Sequence, residues 1–445
     1  MTGARGTVAR PAPGPRYFDE VAETRSRADI EAMQLERLER MLPHAYEHSP
    51  LVRSVWEEAG VHPRDVRSLD DFFERAPFID KSTIDQWRVV RGDPWGGLLC
   101  LPEAELTTIL SSSGTTGEPT LSPQRWAPSD GPVPAGLSRD LWMMGMRPGD
   151  FVMMVIFTFR GPAFCMAQQF GATPILVDYD AGDMLRFCEL SLRYRPTGLY
   201  NLSSVIVLAM ADACARGGYD PADVFASYRG LVQAGEPLSA KARAVVRSWG
   251  APMFEHTNVG DVGTAFQCPE HDGLHYWEDD TLAENLEPAG AAPVADDERG
   301  ELVATSLVNG TTPLIRYRSD DIVRLTREPC PCGRTHSRIW PVGRKGDGVL
   351  VEGRTILPID VWPAVEAVDA CDLGLFQVIR EAPAMDRLRL RVGHHGAENR
   401  LGAVRDEIAA AVAARLGVVP EIELVPDADL LRLGPPHKIP RVASR

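Results

Sequence analysis

The sequence predicts an α/β protein of two domains: a large N-terminal domain with parallel or mixed sheets covered by helices, and a small α+β domain at the C-terminus. Residues 151–157 form a continuous apolar run of buried-strand length, and shorter runs follow at 174–177, 198–200 and 231–233 with helical stretches between them. Strands that alternate with helices form parallel sheets covered on both faces. A chain of 445 residues also exceeds what one hydrophobic core normally holds, so we expect at least two domains.

The composition argues against several classes of function. The net charge is −15 and is spread along the chain rather than gathered in blocks, which argues against a surface for nucleic acid or for an anionic membrane. No apolar run reaches the length of a transmembrane helix. Residues 1–16 are rich in glycine, alanine, proline and arginine and lack the apolar core of a signal peptide. We therefore expect a cytoplasmic protein in which residues 1–16 are disordered.

Both ends of the chain show regular apolar patterns. Between residues 28 and 45 the apolar residues fall near helical spacing, which predicts an amphipathic helix. Near the C-terminus, Leu388, Leu390 and Val392 alternate with arginines, which predicts a strand with one solvated face. An amphipathic helix is predicted from Leu401 to Leu416, where Gly417 ends it, and a strand is predicted at 422–425. These elements account for the small C-terminal domain.

The segment 111–120 concentrates hydroxyl side chains and glycines. Glycine lets backbone amides turn toward a ligand, and serine and threonine add rotatable donors, so the segment can form a concave surface for phosphate oxygens. It is not a Walker A loop, because no Gly-Lys-Ser/Thr follows at the required spacing. Taken alone, a run of this kind is more often an ordinary loop.

Six segments in a fixed order resemble the adenylate-forming enzymes, which include acyl-CoA synthetases, peptide-synthetase adenylation domains and luciferases. They are residues 111–120, 233–237, 254–263, 313–321, 343–358 and 434–442. The opening helices and the segment 77–81 are similar to those of the phenylacetate–CoA ligase branch. The resemblance covers nearly the whole chain. It implies an N-terminal AMP-binding domain, residues 17–343, and a small mobile lid domain, residues 344–445.

The resemblance also implies roles for individual residues. Lys438 would be the catalytic cation of adenylation, and Asp261 the carboxylate near the Mg²⁺ ion that bridges ATP phosphates. Asp321 would bind both ribose hydroxyls, since a carboxylate accepts two hydrogen bonds from a cis-diol. Arg344 would approach the nucleotide, and Asp347 would be the hinge between the domains. The other residues implied in nucleotide binding are Ser112, Ser113, Gly114, Thr115, Thr116, Gly117, Gly235, Glu236 and Pro237.

The chain departs from the family pattern in two places. Glu118 stands where the family usually has lysine, which removes one cation near the phosphates. The segment 256–261 keeps only the carboxylate of the family's aromatic-Gly-x-Ser/Thr-Glu pattern, and Asp261 is one methylene shorter than glutamate. Aspartate is still a hard oxygen ligand suited to Mg²⁺. The altered segment implies an unusual acid or a different acceptor. Residues assigned to the acid pocket are Phe157, Phe254, His256 and Asn258, and core packing is the alternative for the two phenylalanines.

Two short clusters of cysteine and histidine predict a metal site. Cys268, His271 and His275 precede Cys330 and Cys332 by about sixty residues, and three thiols with one imidazole suit a tetrahedral structural Zn²⁺. Some phenylacetate-ligase-like proteins carry a histidine at the place of His275, so we prefer it to His271 as the fourth ligand. The alternative is a set of reduced buried thiols with solvated histidines.

The resemblance implies an ATP-dependent, AMP-forming acid–thiol ligase. It would activate a carboxylic acid, aromatic or arylacetic by analogy with its branch, and transfer the acyl group to the thiol of coenzyme A. Three alternatives stay open: transfer to a carrier-protein thiol or an amine, activation of a group other than a carboxylate, and nucleotide binding without catalysis. Adenylate-forming enzymes are often dimers, so a homodimer is also open.

Overall fold

The architecture agrees with the predicted α/β class. The computed structural model describes residues 14–111, 121–125, 135–155, 167–178, 181–259, 261–382, 384–396, 399–434 and 439–444. Of the segment predicted to be disordered, residues 14–16 are described. The carbonyl oxygen of Pro15 accepts a hydrogen bond from Nε1 of Trp142 at 3.1 Å.

The described chain opens with helices. They are α1 (Glu20–Glu23), α2 (Arg27–His48), α3 (Pro50–Glu58), α4 (Leu69–Arg75) and, after strand β1 (Ile79–Asp80), α5 (Lys81–Arg91). The side chains of Ser26, Ser49, Ser68 and Asp80 cap α2 to α5 by accepting backbone N–H groups, which satisfies donors that a helix start leaves free. The helix predicted between residues 28 and 45 is α2.

A mainly parallel half-sheet forms the centre of the large domain. After the hairpin β2 (Thr108–Ser111) and β3 (Leu121–Gln124), the chain runs through α6 (Ala135–Met143), β4 (Phe151–Val155), β5 (Thr173–Val177), α7 (Ala181–Tyr194), β6 (Gly198–Leu202), α8 (Ser204–Gly217), α9 (Pro221–Val224), β7 (Gly230–Ala234), α10 (Ala240–Trp249) and β8 (Met253–Val259). Strands β4 to β8 pair in parallel. Helices α7 to α10 share a buried core with one face of this half-sheet, and α6 contributes to the core on the other face.

An antiparallel half completes the same sheet. Its strands are β9 (Gly263–Gln267), β10 (Leu274–Tyr276), β11 (Thr281–Leu286), β12 (Arg299–Ser306), β13 (Tyr317–Thr326) and β14 (Arg338–Arg344). Within the described residues, the spatial order β11-β12-β13-β14-β10-β9-β8-β7-β6-β4-β5, with β1 beside β13, makes one sheet of 12 strands. The sheet is therefore mixed, which confirms the broader of the two predicted forms.

The C-terminal part forms two small sheets and its own core. The elements are β15 (Val349–Val351), β16 (Arg354–Ile356), α11 (Pro358–Glu366), β17 (Phe376–Arg380), β18 (Ala384–Met385), β19 (Arg389–His394), α12 (Leu401–Leu416), β20 (Glu421–Pro426), α13 (Asp427–Leu431) and β21 (Val442–Ser444). Helix α12 has the predicted bounds, and Gly417 follows it with a φ of 70°, the left-handed conformation that ends helices.

The two parts of the chain contact each other through charged groups. Glu366, in α11, accepts a hydrogen bond from the backbone N–H of Ala240 at 3.0 Å and pairs with Arg243. A carboxylate at a helix start is favoured by the positive end of the helix dipole. No helix within the described ranges is long and apolar enough to cross a membrane.

Candidate functional site

Asp261, Asp321 and Arg344, three residues with predicted roles around the nucleotide, lie together. Asp321 in β13 is opposite Arg344 in β14, and Nε of Arg344 is 3.3 Å from Oδ1 of Asp321. The hydroxyl of Tyr317, four residues before Asp321, donates a hydrogen bond of 3.4 Å to Oδ2 of Asp261. Tyr317 and Asp321 both lie in β13. The hydrogen bond of Tyr317 therefore holds Asp261, in the turn after β8, near the pair formed by Asp321 and Arg344.

The charges of this group act on each other. Burial lowers the pKa of Arg344, but the carboxylates of Asp321, Asp261 and Asp347 raise it further, and the net direction is upward. Burial and the nearby charge of Asp261 raise the pKa of Tyr317. Arg344 therefore stays a cation and Tyr317 a neutral donor. The carboxylate that precedes Asp321 in the chain, Asp320, is exposed.

The turn after β7 meets the C-terminal tail. Gly235 has a φ of 99°, which favours glycine, and Nε2 of Gln233 donates to the carbonyl oxygen of Glu236 at 2.8 Å. The carboxylate of Glu236 pairs with Arg441 at 3.1 Å, whose guanidinium lies 3.8 Å from the ring centroid of Trp362. The tail is thereby anchored to the predicted nucleotide-binding segment 233–237.

The sequence analysis assigned no role to Arg441. A signal was present, because Arg441 follows Lys438 by three residues in the segment 434–442 that resembles the family. Only Lys438 was given a role. Burial lowers the pKa of Arg441, and the partner Glu236 acts in the opposite direction. Lys438, the residues 112–117 and Phe157 lie outside the described residues. Asp347 lies in the short turn between β14, the last strand of the large sheet along the chain, and β15, the first strand of the small sheets.

The residues assigned to the acid pocket have different environments. Phe254 is only 4% exposed, and it packs in the core between α6 and the sheet with its ring centroid 5.8 Å from that of Phe266. Asn258 is exposed near the end of β8. The side chain of His256 is 10% exposed, and its Nδ1 lies 3.4 Å from Oδ2 of Asp140.

The structure brings the predicted metal ligands together. The ligand atoms of Cys268, His275, Cys330 and Cys332 all lie within 4.8 Å of one another, and all four residues are buried. The Sγ atoms of Cys268 and Cys330 are 3.8 Å apart, and two ligands tetrahedrally bound with Zn–S bonds of about 2.3 Å would be separated by roughly that distance. The donor set and its spacing therefore fit Zn²⁺.

The histidine in this cluster is His275. Its Nε2 lies 3.2 Å from Sγ of Cys332, and its Nδ1 lies 3.2 Å from the carbonyl oxygen of His336, the kind of contact that fixes the tautomer of a metal-binding imidazole. His271 is instead hydrogen-bonded to the side chain of Gln267 at 2.9 Å. Hydrogen bonds from Cys268 and His275 lower the pKa of Cys332 against the effect of its burial, which favours a thiolate there.

Comparisons with known proteins find that the chain is similar to acyl-CoA ligases. No family model matches it. It is 29% identical over 432 residues, 91% of this chain and 94% of the relative, to the phenylacetate-coenzyme A ligase of Thermus thermophilus. It is also 29% identical over 351 residues, 76% of each chain, to the phenylacetate-coenzyme A ligase of Escherichia coli.

Solved structures of a 2-hydroxyisobutyryl-CoA ligase give a conformational comparison. The chain aligns with a TM-score of 0.82 and 26% identity to that ligase in the postadenylation state with 2-HIB-AMP, covering 98% of this chain and 94% of the other. With the same coverage and identity, the TM-score is 0.66 for the thioesterification state with CoA. Because the two targets are one protein, the difference reflects how its parts are arranged, and this chain has the arrangement closer to the postadenylation state.

Proposed function

We propose that this chain, which belongs to the adenylate-forming superfamily of acyl-CoA ligases, converts a carboxylic acid into its coenzyme A thioester in two steps. In the first step a carboxylate oxygen bonds to the α-phosphorus of ATP while the bond to the pyrophosphate oxygen breaks. In the second step the thiol sulfur of coenzyme A attacks the acyl carbon, AMP leaves and the thiol proton is lost.

The observation that carries the proposal is the grouping of Asp261, Asp321 and Arg344. Asp321 offers two acceptor oxygens to the ribose hydroxyls, and Arg344, held 3.3 Å from it, supplies a permanent cation beside an anionic nucleotide. Asp261, hydrogen-bonded to Tyr317, is a hard oxygen ligand that would hold Mg²⁺, whose charge offsets that of the phosphates. Residues 112–117 and Lys438 would supply the remaining donors to the phosphates.

The position of the C-terminal tail supports an alternation between two arrangements. Arg441 joins the small sheets to the turn at Glu236, and Glu366 joins α11 to the start of α10. Both contacts must break if the small domain, residues 344–445, is to rotate about Asp347 and admit coenzyme A. The postadenylation-like arrangement of this chain supports the assignment of these contacts to the first half-reaction.

Two groups of similar proteins suggest different acids as the substrate. The curated relatives are named for phenylacetate, an arylacetic acid, whereas the solved relative with a TM-score of 0.82 is named for 2-hydroxyisobutyrate. We propose an aromatic or arylacetic acid as the first class to test and a small hydroxy acid as the second. The altered segment at residues 256–261 supports a pocket that differs from that of the relatives.

The direct test is pyrophosphate release with ATP and Mg²⁺ over a panel of aryl, arylacetic and short aliphatic acids, with and without coenzyme A. We expect AMP and the acyl-CoA to form only when an acid and coenzyme A are both present. Acid-dependent pyrophosphate exchange without formation of acyl-CoA when coenzyme A is added would point to a carrier-protein thiol or an amine as the acceptor. Nucleotide binding without any acid-dependent turnover would contradict the proposal.

A variant of Asp321 tests the nucleotide site separately. Asp321→Asn removes the negative charge and leaves Arg344 without its ionic partner, so we expect the KM for ATP to rise at least about tenfold, since hydrogen bonds to charged groups contribute about 1.5–3 kcal/mol. Asp320→Asn, at the adjacent exposed carboxylate, is the matched control and should leave the KM for ATP unchanged. An unchanged KM for ATP in Asp321→Asn would contradict the assignment of Asp321 to the nucleotide site.

We also propose that Cys268, His275, Cys330 and Cys332 hold a structural Zn²⁺. Four protein ligands complete a tetrahedral site and leave no position for substrate. The cluster joins the end of β9, strand β10 and the loop between β13 and β14. A bound ion would therefore cross-link segments about sixty residues apart in the half of the sheet that carries Asp321 and Arg344.

A further inference from the structure

A buried polar group lies on the face of the parallel half-sheet covered by α6. Asp140 is fully buried in α6, and its Oδ1 accepts a hydrogen bond from Nε1 of Trp277 at 3.1 Å. Its Oδ2 lies 3.4 Å from Nδ1 of His256. The ring of Tyr200, which is 2% exposed, meets the ring of His256 edge-on with centroids 5.6 Å apart. We call these residues, Asp140, Tyr200, His256 and Trp277, the Asp140 cluster.

The cluster lies where open α/β sheets bind their ligands. His256 is paired with Ala234 at the carboxyl end of β7, within the predicted nucleotide-binding segment 233–237. Tyr200 is near the carboxyl end of β6, and its neighbour Asn201 has a φ of 77° where the pairing of β6 with β7 shifts register. Ligands of such sheets sit beyond the carboxyl ends of the strands, and strained backbone is frequent at binding sites.

The cluster has hydrogen-bonding capacity that the protein does not use. Among the described residues, the Tyr200 hydroxyl makes no hydrogen bond, and Oδ2 of Asp140 and Nδ1 of His256 face each other at 3.4 Å without hydrogen-bond geometry. A buried polar atom without a partner destabilises the folded state. A ligand that supplies the missing partner would remove this penalty, whereas a hydrocarbon would leave it in place.

We propose that the Tyr200 hydroxyl and the His256 imidazole bind a hydroxyl group on the acyl part of the carboxylic acid. The inference rests on the proposed function and names a class of acid within it: hydroxylated acids, aromatic or aliphatic. Asp140 is a positioning residue, because it contacts His256 and Trp277 rather than the acid.

A hydroxyl fits this cluster better than a second carboxylate or a hydrocarbon. It has one donor and two acceptor sites, so it can satisfy a tyrosine hydroxyl and an imidazole nitrogen in either tautomer. A second carboxylate would have to be desolvated near the Asp140 carboxylate, and the adjacent cation Arg139 is already paired with Asp279 at 2.5 Å. Burial, and then the charge of Asp140, raise the pKa of Tyr200, so the phenol stays neutral.

The test compares pairs of acids that differ by one hydroxyl, such as phenylacetate with its ring-hydroxylated and α-hydroxylated forms and isobutyrate with 2-hydroxyisobutyrate. We expect kcat/KM for acid-dependent pyrophosphate exchange to be at least tenfold higher for the hydroxylated member of one pair, because a site built to bind a hydroxyl rejects the analogue without it. Tyr200→Phe removes only the buried hydroxyl, and we expect the preference to fall at least fivefold.

Tyr228→Phe is the matched control. It removes another buried tyrosine hydroxyl of the same domain, bonded at 2.7 Å to Ser191, and should leave the preference unchanged. Adenylation with no preference in any pair, or a preference that Tyr200→Phe retains, would overturn the inference while the proposed function stands. The absence of adenylation with every acid would overturn both. Melting temperatures of both variants show whether each is folded.

Discussion

Lys438→Ala should slow formation of the acyl adenylate by about a thousandfold while sparing thioester formation from supplied acyl adenylate. The first half-reaction joins two anions, so its rate depends on cations placed at the α-phosphate, and the loss of one such group costs on the order of a hundredfold to more than a thousandfold. The chain has lysine only at 81, 241, 345 and 438, and the phosphate segment has Glu118 where the family usually has lysine.

The two half-reactions are measured separately, by acid-dependent pyrophosphate exchange and by thioester formation from synthetic acyl adenylate with coenzyme A. Lys81→Ala, at the start of α5, is the matched control and should leave both rates near those of the wild type. An equal loss in both half-reactions, or no loss in either, would show that Lys438 does not have this role.

The sequence predicted those parts of the fold that depend on local patterns. Helix α12 was predicted with its bounds because its apolar spacing and Gly417 are both local signals. The strands β4 to β7 were predicted because buried parallel strands are short apolar runs. The order of the strands was beyond this reasoning, since β10 pairs with β14 about sixty residues away and no local pattern encodes that partner.

The candidate site also combines residues that motifs predict with contacts that only the folded structure reveals. Asp321 and Arg344 were found by motif, and the structure adds that they face each other across two strands. The contact of Arg441 with Glu236 joins residues about two hundred positions apart. Asp140 lies on a short helix and resembles a surface acid in the sequence. Its complete burial beside His256 depends on the packing of α6 against the sheet, which the sequence alone does not reveal.

Cys332→Ser should release the bound metal and lower the free energy of unfolding by on the order of 4 kcal/mol. The side chain of Cys332 contacts His275, and its thiolate would be one of four ligands, so serine replaces a soft anionic donor with a poorly coordinating hydroxyl. Zinc content per chain and denaturant unfolding measure the two effects. Because the cluster lies in the half-sheet that carries Asp321 and Arg344, a higher KM for ATP should accompany the loss.

Two controls separate metal binding from the loss of a buried thiol or imidazole. Cys371→Ser alters a buried thiol of the C-terminal core and should reduce stability modestly with zinc content unchanged. His271→Asn alters the neighbouring histidine that contacts Gln267 and should also retain the metal, whereas His275→Asn should lose it. Wild-type protein purified without chelator that contains well under one zinc per chain would contradict the site. The four side chains would then be a buried cluster of reduced thiols with one imidazole.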